Sequence, residues 1–255
     1  MDATLEFNLK QLKLNSFLMN YKKEAEEGIK KKISYTSYLE HLSRLEVMRR
    51  TNLTIQNRLK AAKFPVPKTM DTFDFAHVPQ IDKKVIYQLA EGHFTSSAKN
   101  VIFFGPCGTG KTHMAIALGR ELCLKKYKVF YSNVNHFIHL LLEANHNLKL
   151  NKFIKKMQTY DLTILDELGY VPFEQTATNL LFQFLAEQYE KRSLLITTNL
   201  AFSQWDQIFK EKQTTVAAVD RLIHHSYVLH FEGKDGKSFR LKSSLMEKNK
   251  KAKAK

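Results

Sequence analysis

Only two cysteines, Cys107 and Cys123, occur in 255 residues. Two thiols can build neither a disulfide framework nor a structural zinc site. Long apolar runs are missing as well: none approaches the roughly 18 residues of a membrane-spanning helix. The start lacks the charged-then-apolar pattern of a signal peptide, because Asp2 and Glu6 stand where positive charge is expected. Acid is also scarce, with 25 Asp and Glu against 40 Lys and Arg and a formal charge of +15. Together these shortages argue against a disulfide-rich secreted scaffold and against a membrane protein. They predict a soluble cytoplasmic protein with a polyanionic partner, nucleic acid before a membrane surface.

The remaining composition supports folding. Hydrophobic residues make up 44% of the chain, enough for one large domain or for one domain and a small appendage. No internal repeat is present. The charge is unevenly spread: residues 71–233 are close to neutral, whereas residues 234–255 carry 9 basic against 2 acidic side chains. Such a pattern fits a catalytic core flanked by segments that grip something acidic. The last stretch, residues 244–255, reads as a solvated basic tail that adds non-specific DNA affinity.

Residues 1–65 read as a small helical bundle. Leu5, Leu9 and Leu12 recur at helical spacing, and Phe17, Leu18 and Tyr21 continue an apolar face. Gly28 is expected to break it. Ser34 can cap a further long helix carrying Tyr38, Leu42, Leu45 and Leu53. Phe64-Pro65-Val66-Pro67 ends the helical part, since proline lacks an N–H and disfavours helix before it.

From residue 66 to 243 strands alternate with helices. Short apolar runs at 101–104, 129–131, 162–165, 194–197 and 227–231 read as buried strands. Residues 111–126 and 180–191 read as helices. This alternation predicts an α/β domain with a parallel sheet flanked by helices.

Two motifs carry chemistry. Gly105-Pro106-Cys107-Gly108-Thr109-Gly110-Lys111-Thr112 has the spacing of a phosphate-binding P-loop, between a predicted strand and a predicted helix. Its glycines let backbone N–H groups converge on phosphate oxygens, and the helix start favours an anion. Lys111 is expected to reach the β- and γ-phosphates of ATP, and the Thr112 hydroxyl to bind Mg²⁺. The strand at 162–165 delivers Asp166 and Glu167 to the sheet's carboxyl edge. Asp166 can hold Mg²⁺ through water, and Glu167 can orient and deprotonate an attacking water. A carboxylate for water separates an ATPase from a P-loop kinase. Asn199, after Thr197 and Thr198, ends a strand lying between these motifs and can hold the lytic water or sense the γ-phosphate. Arg221 and Arg240 are surface arginines or cations for the γ-phosphate.

These residues resemble one family closely. The stretch Asn100 to His113, the Asp166-Glu167 pair, Thr197-Thr198-Asn199 with Trp205, and Asp220-Arg221-Leu222-Ile223-His224-His225 look like the IstB family. So do Ala61-Ala62-Lys63-Phe64-Pro65 and Phe73-Asp74-Phe75. The resemblance implies an AAA+ P-loop ATPase preceded by a helical bundle, with His113 among the nucleotide-binding residues. It also implies a homo-oligomer that assembles with ATP on double-stranded DNA and helps an IS21-type transposase. On this resemblance Arg221 is the arginine finger acting in trans and Arg240 the sensor-2 arginine. Cys107 departs from the family's usual proline, which leaves the loop intact and adds a redox-sensitive thiol. A replicative helicase loader is the neighbouring function, and a DNA-architectural protein using ATP only for assembly is a different class. Lys149, Lys152 and Lys156 would share one helix face toward DNA backbone, anchored by Phe153 and Ile154.

Overall fold

The computed structural model describes residues 2–170, 173–209 and 212–234. The chain divides into two compact units, residues 1–57 and 58–255. The division falls inside a helix, upstream of the Phe64–Pro67 segment.

The first unit consists of α1 (Asp2–Gln11), α2 (Asn15–Lys31) and most of α3 (Tyr35–Ala62). The apolar repeat that links Leu5 to Tyr21 does not form one helix. Lys13 adopts a left-handed φ of 55° and the chain turns there. Gly28, by contrast, does not break α2: the helix runs on to Lys31 and closes with Lys32 in the left-handed region at φ 50°. Ser34 caps α3 as expected, its Oγ accepting from the Ser37 amide at 3.1 Å.

The second unit is built on a sheet in the order β2–β3–β4–β1–β5, every pairing parallel. Its strands are β1 (Asn100–Phe104), β2 (Val129–Asn133), β3 (Leu162–Leu168), β4 (Ser193–Thr198) and β5 (Ser226–His230). All five lie where apolar runs predict them. The helices are α4 (Lys83–Ala90), α5 (His93–Ser96), α6 (Lys111–Leu124), α7 (Val134–His146), α8 (Leu150–Met157), α9 (Gln175–Gln188), α10 (Asp206–Phe209) and α11 (Lys212–Ile223). Two helix ends differ from the sequence reading. α6 stops at Leu124 because Lys126 turns left-handed at φ 70°. α9 is shifted N-terminally, its polar first turn having hidden its start from an apolar-periodicity reading.

Strand geometry sorts the core. Successive side chains point to opposite faces, so Val101 and Phe103 join Met114, Ile164, Leu195 and Leu229 on one side, whereas Ile102 joins Leu165, Ile196, Phe137, Phe184 and Trp205 on the other. Helices therefore cover both faces of the sheet, and the strand C-termini open onto one edge. Cys123 lies buried in the first of these clusters, where burial pushes its thiol up to about 11. It is a packing residue.

Candidate nucleotide-binding site

The loop from β1 to α6 follows the glycine pattern for steric reasons. Gly105 has φ 136°, and a Cβ there would collide with the backbone oxygen of Phe231. Gly110 has φ 94°, and its Cβ would come within 2.7 Å of the Phe73 ring. Both positions demand a residue without a side chain. Lys111 is buried and donates to the carbonyls of Gly105 at 2.6 Å and Pro106 at 2.7 Å. The Thr109 hydroxyl donates to Pro106 O at 2.9 Å and tightens the same turn.

A cavity of about 410 Å³ lies over this loop. Gly108, Thr109, Gly110, Lys111, Thr112 and His113 form one wall, and Glu167 and Tyr170 close another. The connection after α3 supplies the rest, notably Val66, Thr72, Phe73 and Asp74. Phe73 meets the His113 ring edge-on at 5.3 Å. Nε2 of His113 lies 3.0 Å from the Thr69 carbonyl. Burial lowers the affinity of this imidazole for a second proton, so His113 stays neutral over a wider pH range. The volume and the mix of apolar and polar walls suit a small ligand.

Asp166 sits directly behind the loop. Only 2% of it is exposed, and three hydroxyls serve its carboxylate. Thr112 Oγ1 donates to Oδ1 at 3.0 Å, Thr197 Oγ1 donates to Oδ1 at 2.6 Å, and Tyr131 Oη donates to Oδ2 at 2.7 Å. Glu167 departs from regular strand geometry. Its φ of 67° is left-handed, and the β3–β4 register slips between Leu165 and Leu168. For a residue with a side chain such backbone costs on the order of 1–3 kcal/mol, held in place by surrounding contacts. Here Thr197 Oγ1 accepts the Glu167 amide at 2.9 Å, and Asn133 Nδ2 donates to its carboxylate at 2.5 Å. The irregularity turns Glu167 into the cavity while Asp166 stays behind it.

Asn199 immediately follows β4, and its Oδ1 is buried with no hydrogen-bond partner. Cys107 is exposed, with its Sγ 3.5 Å from Tyr170 Oη. Burial and that contact raise the Tyr170 phenol. Arg221 is not brought to the cavity within one chain. It lies in the last turn of α11 with its guanidinium 5.4 Å from the Phe182 ring centroid, and its Nη1 is buried without a partner. It makes no ion pair with Asp220 or Glu232 among the described residues. Arg240 and the 244–255 tail lie outside the described residues.

Sequence motifs did not reveal Tyr131, Asn133 or Tyr170 as part of this site. Tyr131 and Asn133 stand on β2, whose start, Val129-Phe130-Tyr131, reads as a buried strand and carries no catalytic motif. Asn133 did carry one signal, an N-cap residue ahead of α7, since its Oδ1 accepts the Asn135 amide at 2.9 Å.

Comparison with known proteins agrees with the geometry. The family model described as IstB-like ATP binding protein matches residues 7–247. A protein of insertion sequence IS21 from Pseudomonas aeruginosa, named for ATP binding, is 34% identical over 93% of this chain and 89% of its own length. Its counterpart from insertion sequence IS5376 of Geobacillus stearothermophilus is 33% identical over 86% of each chain. Among solved structures, the DnaC helicase loader superposes with a TM-score of 0.55 at 18% identity, over 64% of this chain and 96% of that one. AMPPCP-bound DnaA from Aquifex aeolicus superposes with a TM-score of 0.57 at 20% identity, over 72% of this chain and 57% of that one. At such identities these two likenesses speak for the fold alone, a parallel sheet with helices on both faces. With a family match across nearly its whole length, the chain belongs to the IstB-like ATP-binding proteins of insertion sequences.

Proposed function

We propose that this protein is a Mg²⁺-dependent ATPase that assembles on double-stranded DNA and assists the transposase of an IS21-type element. The observation that carries the enzymatic part is the split of roles at the end of β3: Asp166 bonded to Thr112 behind the loop, Glu167 turned into the cavity. Family membership supports the transposition context.

The residues divide the chemistry as follows. Lys111 spends its hydrogen bonds on loop carbonyls, and phosphate oxygens are stronger acceptors for the same ammonium. ATP binding therefore draws Lys111 toward the β- and γ-phosphates. The Thr112 hydroxyl and the Asp166 carboxylate are hard oxygen donors 3.0 Å apart, a pair that suits Mg²⁺. When bound, that ion neutralises charge on the phosphate oxygens. Glu167 orients the attacking water and accepts its proton, and Asn199 offers its unpartnered Oδ1 to the same water. The apolar and aromatic walls Val66, Phe73 and His113 would give the adenine ring a surface to pack on.

The described residues that line the cavity include Lys111 and, on the connection after α3, Lys68, but no arginine finger for the γ-phosphate. Arg221, by resemblance to the family, supplies it from a neighbouring copy, which makes hydrolysis depend on assembly. Arg240 takes the sensor-2 role on the same ground. The exposed face of α8, with Lys149, Lys152 and Lys156 and the additional Lys155, rests on half-buried Phe153 and buried Ile154. We assign it to DNA backbone contact.

Mixing variants tests the assembly-dependent reading. Arg221→Ala binds ATP and hydrolyses poorly, and adding Glu167→Gln protein restores part of the turnover. At mixed interfaces the intact Arg221 of one protein serves the intact Glu167 of the other. If mixing restores nothing and Arg221→Ala melts earlier, Arg221 only packs on Phe182.

A further inference from the structure

We propose that Tyr131 is a positioning residue that reserves one oxygen of the Asp166 carboxylate and thereby tunes which divalent cation the site accepts. The proposal rests on the reading of Asp166 as the carboxylate that faces the nucleotide-bound cation.

The two oxygens of Asp166 are not equivalent. Oδ1 meets Thr112 and Thr197, and Oδ2 meets Tyr131 at 2.7 Å. Thr112 can donate its proton to Oδ1 and still offer lone pairs to a cation, because a hydroxyl is both donor and acceptor. Oδ1 thus belongs to the cation side of the carboxylate. Oδ2 is turned to the phenol of a neighbouring strand. Tyr131 lies on β2, two residues before Asn133, which is paired in register with Asp166.

That phenol is firmly held. Tyr131 is 9% exposed, and its ring tilts against Phe64 at 5.9 Å. Phe64 is itself pinned over Gly119, where even a Cβ would come within 2.9 Å of its ring. A phenol is protonated at neutral pH, so Tyr131 acts as a donor to Oδ2. A hydrogen bond from a buried neutral donor to a carboxylate is of the strong, charge-assisted kind.

Reserving Oδ2 has a chemical consequence. Ca²⁺ accepts six to eight oxygens and readily takes a carboxylate through both of its oxygens. Mg²⁺ keeps several waters and engages a carboxylate through one oxygen or through water. Tyr131 fixes the plane of the carboxylate and takes one acceptor site of Oδ2, which disfavours the two-oxygen chelation Ca²⁺ uses and leaves Mg²⁺ the single oxygen, or water, that it engages. Tyr131 therefore acts through Asp166 as a selectivity device. It does not touch the reacting atoms.

The test is equilibrium binding of a fluorescent ATP analogue to the full chain, titrated with Mg²⁺ and with Ca²⁺. Wild type and Tyr131→Phe are compared, with a thermal melt to verify the fold. Phenylalanine keeps the ring on Phe64 and removes only the donor. Wild type favours Mg²⁺ over Ca²⁺ in supporting nucleotide binding. In Tyr131→Phe that preference falls by roughly tenfold, the scale of one charge-assisted hydrogen bond, while affinity for the analogue in EDTA is unchanged. An unchanged Mg²⁺/Ca²⁺ preference in folded Tyr131→Phe overturns the proposal. So does a wild type that binds the analogue equally well with either ion, which decides the matter even if the variant fails to fold. Asp166→Asn separates the two layers. If it leaves the metal response intact, the reading of Asp166 fails. If it abolishes the metal response while Tyr131→Phe retains wild-type preference, the Tyr131 assignment alone fails.

Discussion

The two units of this chain hold themselves together by different means. Within residues 58–234 both faces of the sheet are packed with aromatic and aliphatic side chains, among them fully buried Phe103, Phe137, Phe184 and Trp205. Within residues 1–57 the fully described buried apolar side chains are Leu9 and Leu42. Large apolar side chains there stand in the open instead: Met19 is 80% exposed, Ile29 79% and Tyr35 91%. Polar contacts stitch the helices together. Tyr38 Oη donates to Tyr21 O at 2.9 Å, and Tyr21 Oη donates to Glu6 at 2.9 Å. Glu46, only 4% exposed, accepts from the Ser16 amide, Arg49 and Arg50, each at 2.7 Å. One unit is thus a packed scaffold able to hold a strained strand end at Glu167. The other leaves several large apolar side chains exposed and relies more on polar contacts between its helices.

Changes at the scaffold's site have the largest effects. Glu167→Gln retains ATP binding and loses turnover by about 10²–10⁴-fold, the usual contribution of a positioned general base. Lys111→Ala loses binding itself, because the lysine meets phosphate in the ground state. Nucleotide binding and phosphate-release assays on both variants separate the roles. Equal loss of affinity in both removes the assignment of Glu167.

Core truncation comes next. Phe184→Ala leaves a cavity between α9 and α7 and costs about 3–5 kcal/mol in denaturant unfolding. Met19→Ser in the first unit changes stability by less than about 0.5 kcal/mol, as an exposed position should. A large loss at Met19 would erase the contrast between the units.

The Glu46 cluster lies between these extremes. Its hydrogen bonds to Arg49, with those from Ser16 and Arg50, hold the carboxyl down at about 2, against an ordinary value of 4.5. The depressed value means a stabilising contribution that is complete above pH 4.5 and is lost as pH falls toward 2. Glu46→Gln costs about 2 kcal/mol at neutral pH, in the range for hydrogen bonds to a charged group. Hydrogen exchange at the α2 amides of the whole chain reads this locally, with protection dropping below pH 4.5 in wild type and nearly flat with pH in the variant.

The smallest effect tests where the charge acts. Replacing Lys149, Lys152 and Lys156 together leaves folding and ATP binding intact. It weakens DNA binding and flattens the log–log salt dependence by roughly 2–3 units if each lysine meets one phosphate. An unchanged slope moves the DNA contact elsewhere, to the first unit or to the basic C-terminal stretch.

The sequence by itself determined the parallel α/β fold and the two nucleotide motifs. All five strands coincide with apolar runs: β1 to β4 are buried on both faces and must be largely apolar, and β5, although mostly exposed, carries a short apolar run as well. The loop glycines declare themselves because Gly105 and Gly110 allow no substitute. Helix ends were less legible: the stops at Lys13 and Lys126 are left-handed lysines, and neither proline nor glycine marks them. Only the tertiary structure decided which residues surround the motifs. Tyr131, Asn133 and Thr197 reach Asp166 and Glu167 from neighbouring strands, across sequence gaps that no local pattern spans. Phe73 and Asp74 join the cavity because the connection after α3 folds back over the phosphate loop. The left-handed turn at Glu167 was equally hidden, because contacts from two other strands hold it against its local preference. Periodicity and steric exclusion are written along the chain. The orientation of a carboxylate depends on what the fold packs beside it.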